Sequence, residues 1–379
     1  MNSHLRFISL SALIWVVVAT ASAAVRVELV PENGMQPQVA TGSDGTIHLV
    51  YLKGAPQGCD VRYVQKPAAG REWSAPITVN SVPNTAVAMG TIRGAQIALG
   101  KDNRVHVLWN GVSPRDASGR YGSAPLFCAR KETKQSAFSP QRDLISGTLH
   151  LDGGASIAAN AKGEVYVVWH GARPDAEKGE SNRVVFVLKS GDNGASFSPL
   201  KIANEDFNGV CACCSLKAFL GPSGELFTLY RAARNVAQRD MTLLSSRDGG
   251  QTFSHQTLHP WAVGACPMSS TTMTDTGKGT RAAWETDGVI FSSMLGGGFS
   301  PQSIASGKAR HPALAVNRRD ETLVVWSVGT GWQRGGTLAW CILGADGKPT
   351  AQRGTAPGVP VWSFPAVFAT PDNDFVILH

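Results

Sequence analysis

Three cysteines fall within four residues, Cys211, Cys213 and Cys214 in NGVCACCS, and a fourth follows with a methionine, Cys266 and Met268 in ACPM. No other stretch of the sequence concentrates so many reactive side chains. Thiolate and thioether donors select Cu(I), and thiolates mixed with imidazoles also suit Zn(II). The same thiols could run redox exchange, or simply be stapled into disulfides. A bridge from Cys266 to one of the triplet and a strained vicinal Cys213–Cys214 bridge both stay open. The spacing departs from the CxxC pairs of zinc fingers. The chain has seven Cys, so one thiol at least is unpaired unless a metal or another molecule takes it.

These residues need a scaffold, and the sequence repeats one. A turn residue, alternating apolar positions and an aromatic recur at GTIHLVY (45–51), NRVHVLW (103–109), GEVYVVW (163–169) and GELFTLY (224–230). Looser copies follow at GTRAAW (279–284), ETLVVW (321–326) and NDFVILH (373–379). Each copy is preceded by a second short apolar run, which reads as a pair of antiparallel strands. Helical periodicity is absent throughout. A second marker, Trp73-Ser74, Phe138-Ser139, Phe197-Ser198, Phe253-Ser254 and Phe299-Ser300, closes a turn in the other half of each unit. Four short strands per unit repeated in register predict an all-β fold, a β-propeller with four-stranded antiparallel blades. Seven blades are expected and six are the alternative. The seventh copy ends at His379, so Val25–Val30 (VRVELV) is expected to supply its outer strand and close the ring.

The first 23 residues read as a signal peptide. Arg6 precedes an apolar run from Leu10 to Val18, and Ala21, Ser22 and Ala23 supply the small-residue cleavage site. The run is shorter than the ~20 residues that span a bilayer. Residues 24–379 are therefore expected as one propeller domain, periplasmic or secreted, with no membrane span. Of 379 residues, 43% are hydrophobic and 17% charged, enough apolar material for a full core. The basic excess is spread out with no Lys/Arg block, which argues against a nucleic-acid partner.

Ser190, Asp192, Gly194 and Phe197, and again Ser246, Asp248, Gly250 and Phe253, match SxDxGxxF, the Asp-box of the sialidase-like (BNR repeat) propellers, which this chain resembles. In such a turn the Ser and Asp side chains satisfy backbone groups, the Gly takes positive φ and the aromatic packs between blades. The box is structural and brings no activity with it. The resemblance implies that ligands bind on the face opposite the Asp-boxes, where the loops into each first strand and out of each second strand open. The inbound loops carry Arg93, His150, Asp152, Cys211, Cys213, Cys214, Cys266, Met268, Arg310 and His311. The outbound positions carry Lys53, Asn110, His170, Arg231, Glu285 and Ser327. Extracytoplasmic sialidase-like proteins that combine CxCC with a CPM segment look similar, which implies a shared site.

Resemblance to the sialidases implies an arginine clamp on a carboxylate, with Arg93, Arg231 and Arg310 as the arginines and Asp152 and Glu285 as acids. Against that, MetGlnProGln (35–38) stands where the family has its early arginine motif, and all five Tyr precede residue 231, whereas the family's nucleophile comes late. The reading reached is an exported propeller, not a working sialidase, whose channel mouth binds a soft metal or performs thiol redox chemistry. Copper is the expected metal, with zinc or none as alternatives, and the ligand set is Cys211, Cys213, Cys214, Cys266, Met268, His150, His170 and His311. The partner implied is a metal ion or small ligand at the mouth. An exo-sialidase acting on anionic sugars and a disulfide-stapled binding scaffold are the competing readings. Cys59, Cys128 and Cys341 are expected as buried strand residues, His48 and His106 as sheet residues, and His379 as an exposed terminus.

Overall fold

A computed structural model describes residues 23–379 apart from 91, 116, 118–122, 146–150, 152, 174–175, 208, 236 and 297–298. The signal peptide lies almost wholly outside the described residues, as do His150 and Asp152.

Alternating apolar residues bury both faces of each blade, and the strands form seven separate sheets. Blade one comprises Met35–Thr41, Ile47–Ala55, Gly58–Lys66 and Ile77–Thr78. The same meander recurs in blades two to six, with innermost strands Gln96–Leu99, Ser156–Ala159, Lys217–Leu220, Thr271–Thr276 and Ala309–Val316. Those six blades are four-stranded and antiparallel. Blade seven has three strands: Ala366–Ala369 pairs antiparallel with Phe375–Leu378, and Val25–Glu28 adds to the latter in parallel. The terminal strand thus closes the ring as the sequence required, though its direction is opposite to that of a continuous meander.

A propeller has one hydrophobic layer per blade interface, and seven such layers are present. The repeated aromatics Trp109, Trp169 and Trp284 are among the largest fully buried side chains. Cys59 and Cys341 lie buried in these layers, and Cys128 packs at the edge of one. The Asp-boxes behave as expected. Ser190 Oγ donates to Asp192 Oδ1 at 2.7 Å and accepts from Gly194 N at 2.9 Å, with Gly194 at φ 79°. Ser246, Asp248 and Gly250 repeat this geometry. Phe197 and Phe253 pack against the layers on either side of blade three. His379 corrects one expectation: it is buried, its Nδ1 3.0 Å from the Gly358 carbonyl oxygen.

Burial also sets how the molecule responds to acid. His48 and His106 are pushed down to about 4, and His170 and His311 to about 3, in each case chiefly by loss of solvent. An unfolded chain binds protons at these rings near pH 6.5. Between that pH and about 4 the unfolded state therefore carries more protons than the native state, so stability is full above about pH 6.5 and falls as the pH drops. Each ring held at about 4 contributes up to ~3 kcal/mol of this loss. Urea unfolding at about pH 7.5 and 4.5 should show a marked fall in stability. His106→Gln should flatten the slope; an unchanged slope would assign the acid sensitivity to other groups.

Candidate functional site

Three outbound residues, Asn110, His170 and Arg231, each reach under the inbound loop of the next blade. Asn110 Nδ2 donates to the Gly153 carbonyl at 2.9 Å, and His170 Nε2 lies 3.4 Å from the Cys214 carbonyl. Arg231 Nε donates to Ser269 Oγ at 3.2 Å. All three are buried. These side chains hold the loops from beneath and are not presented to a ligand, contrary to the sequence expectation.

The cysteine turn sits on this support. Cys211 N donates to the Arg231 carbonyl at 2.9 Å, Ala212 N to Glu180 Oε1 at 2.6 Å, and Ser215 N to the Ser269 carbonyl at 3.1 Å. Glu180 is itself paired with buried Arg239 at 2.7 Å. The turn gathers three sulfurs: Cys211 Sγ is 3.2 Å from Cys214 Sγ and 3.5 Å from Cys213 Sγ, and all three lie within 4.8 Å of one another. Cys213 is disulfide-bonded to Cys266 on the inbound loop of blade five. This is the bridge the sequence left open between Cys266 and the triplet. Cys211 and Cys214 are free thiols with 1% exposure, whereas Cys213 is half-buried and Cys266 exposed. The bridge thus forms the outer side of the sulfur cluster.

Charge follows from the surroundings. Burial disfavours a thiolate at Cys214, but the Cys211 S–H, the Arg231 charge and the Ser269 hydroxyl and backbone N–H together bring its pKa below the ordinary thiol value. The Cys211 thiol is pushed up, first by its hydrogen bond to Cys214 and then by burial. Of the two thiols Cys214 is therefore the first to ionise, and Cys211 keeps its proton and points it at Cys214. Arg231 needs an anionic partner. It is 1% exposed, and its nitrogens donate to Ser269 Oγ, Thr286 Oγ1 and the carbonyls of Arg239 and Glu285. No carboxylate among the described residues forms an ion pair with it, and Cys214 leads the anionic groups that offset its burial. Trp261 covers the guanidinium at 4.9 Å.

The other candidates separate from the cluster. His170 accepts from Arg183 Nη2 at Nδ1, 3.2 Å away, so its proton is on Nε2 and faces the Cys214 carbonyl. Neither nitrogen is open to a metal. His311 lies on blade six with φ 53° and its Nδ1 3.0 Å from Ser270 Oγ, outside the sulfur group. Met268 also has positive φ, 47°, in the loop that brings Cys266 to the cluster. Arg93 is half-buried on its inbound loop, its Nη1 donating to the Met89 carbonyl at 3.1 Å, and Arg310 is half-buried at the start of the innermost strand of blade six. Arg231 and Glu285, by contrast, are buried, and burial raises the Glu285 carboxyl above its usual range. A carboxylate clamp built on Arg231 would need its committed guanidinium released. Sequence reasoning missed Ser269, Glu180 and Arg239; only their neighbours in the fold connect them to the cysteines.

No family model matches the sequence, and no curated protein does. Solved structures do match. The Hadza microbial sialidase Hz136 superposes with a TM-score of 0.52 at 13% identity over 78% of this chain, which spans 63% of that protein. An α-L-arabinofuranosidase from Fusarium graminearum gives 0.52 at 12% identity, covering 89% of this chain and 98% of the other. Trypanosoma rangeli sialidase gives 0.53 at 11% identity, covering 82% and 56%. At such identities the likeness carries architecture and not chemistry. The chain has the sialidase-like β-propeller fold, in a seven-bladed form.

Proposed function

We propose that this protein is an exported propeller that binds a soft metal ion, Cu(I), on the sulfurs beneath its channel mouth. The observation that carries the reading is the convergence of Cys211, Cys213 and Cys214 within 4.8 Å, with Cys214 in surroundings that favour the thiolate. A metal ligand must be deprotonated, and soft thiolates select Cu(I) over harder ions. Cys211 and Cys214 offer two sulfur donors, Cys211 giving up its proton as the metal binds, and reduction of the Cys213–Cys266 bridge would add Cys213. The bridge and the leader both suit an oxidising compartment outside the cytoplasm. Cleavage after Ala23 would leave the new amino terminus of Ala24 at 2.9 Å from Asp374 Oδ1. Among the described residues no helix is long and apolar enough to cross a membrane.

Anaerobic titration with Cu(I) against a colorimetric chelator, before and after reduction, tests this. One tightly held equivalent per chain, with the appearance of thiolate-to-copper charge-transfer absorption, is the expected result. Failure to compete with the chelator in both states would overturn the proposal, and preferential retention of Zn(II) would reassign the metal.

A second reading rests on a separate distance, the 3.5 Å between Cys211 Sγ and Cys213 Sγ. Cys214 takes the Cys211 proton; the Cys211 thiolate attacks Cys213; a Cys211–Cys213 bond forms as Cys213–Cys266 breaks and Cys266 leaves as thiolate. The exchange needs no outside oxidant. Acid-quenched disulfide mapping at rising pH should then find the 211–213 bridge in a growing minority of molecules; a bridge that stays wholly 213–266 excludes it.

A further inference from the structure

The metal site leaves the axial channel unexplained. A cavity of about 660 Å³ runs between the innermost strands of all seven blades, and the cysteine turn meets it only through Ser215 and Leu216. Strand register divides its wall into rings. One ring consists of the residues paired with the position before each blade's marker: Gln38, Gln96, Ser156, Lys217 and Thr272 are polar, while Ala313 and Ala366 make the opposite arc apolar. Two residues further along each strand the ring is alanine in four blades, Ala40, Ala98, Ala158 and Ala315, with Phe219, Thr274 and Phe368 in the others.

Lys217 is out of place in such a wall. Its Nζ donates to Gln96 Oε1 at 3.0 Å, across the intervening blade three, and no carboxylate among the described residues pairs with it. An ammonium inside a protein cavity without a counter-ion is costly, and groups of this kind are retained where something binds them. Burial already pushes Lys217 down to about 8, the response of a cation that lacks its partner.

We propose that the axial channel binds a small organic monocarboxylate, its head on Lys217 and its short apolar body along the alanine ring. One cation ringed by neutral donors matches a single negative charge. A dianion such as phosphate would remain half compensated. Gln38 and Thr272 stand in the same ring as further hydrogen-bond donors, and Leu314, Phe219 and Val367 furnish apolar wall for the body. The site is independent of copper, since none of its groups is a sulfur ligand.

Sodium hexanoate is a suitable probe, with hexanol and inorganic phosphate as comparisons. Calorimetric titration should show saturable hexanoate binding, at least tenfold weaker in Lys217→Met and largely kept in Lys217→Arg. In the wild-type protein carrying 13Cε-lysine, one lysine resonance, assigned by its loss in Lys217→Arg, should shift as hexanoate saturates; this reading does not depend on the folding of Lys217→Met. Equal binding of hexanoate to wild type and Lys217→Met, equal binding of hexanol, tighter binding of phosphate, or an unmoved Lys217 resonance would each overturn the proposal.

Discussion

Cys214→Ser is expected to weaken Cu(I) binding by more than the ~10–100-fold that loss of an outer-shell partner costs a metal site. Three effects act together. The substitution removes a sulfur donor, removes the sulfur that accepts the Cys211 proton at 3.2 Å, and leaves the Arg231 charge without its leading anionic neighbour. A hydroxyl does not ionise at neutral pH, so it replaces none of these. Cys211→Ser should be comparably severe, because it removes the other buried thiol. Cys266→Ser should have a smaller effect and should raise affinity measured without reductant, since it frees Cys213. Cys59→Ser serves as the control for cysteine loss away from the cluster. The chelator competition described above reads all four, and equal affinities for Cys214→Ser and wild type would exclude the sulfur cluster as the metal site. Arg231→Met separates positioning from ligation. With the donors intact, it should move the ultraviolet thiolate titration to higher pH and weaken copper binding most at low pH; a merely structural arginine would lower stability and leave that titration in place.

Removal of the last five residues, Phe375–His379, should abolish the folded state. Phe375, Val376, Ile377 and Leu378 are fully buried and form the middle strand of blade seven. They pack into both adjoining interblade layers, Phe375 and Ile377 on the blade-six side and Val376 and Leu378 on the blade-one side. Full burial of such a side chain contributes roughly 1.5–3 kcal/mol, so four of them match the whole of a typical domain's margin of about 5–15 kcal/mol. Deleting Val25–Glu28 should be milder, lowering the melting temperature without preventing folding, because that strand is an outer one and half-exposed. Circular dichroism and thermal melts of the two truncations decide this. A cooperative melt of the C-terminal truncation within a few degrees of full length would show that ring closure contributes little.

The architecture was legible because it is written as repetition. An apolar alternation with an aromatic at the same step, seven times over, leaves little choice but strands whose two faces are both buried. The Asp-box turns depend only on residues within a few positions of one another, so Ser190, Asp192 and Gly194 could be assigned without the fold. The closing strand Val25–Glu28 was legible too, since an unfinished seventh unit needs an outer strand. Its parallel direction was not, because direction depends on the path the chain takes from one terminus to the other.

The site divides along the same line. By itself the sequence determined that Cys211, Cys213, Cys214 and Cys266 stand on neighbouring inbound loops, because repeat register fixes which loops adjoin. Only the tertiary structure decided how they divide: Cys213 and Cys266 bridged at the outer side, Cys211 and Cys214 reduced and buried within. It also decided that Arg231 and His170 act on the cysteine turn from below. Their outbound position promised an open face, yet the next blade's loop closes over each of them. Proximity along a repeat follows from sequence spacing; exposure, pairing and charge depend on what a neighbouring blade lays across the residue, and that is a property of packing between segments far apart in the chain.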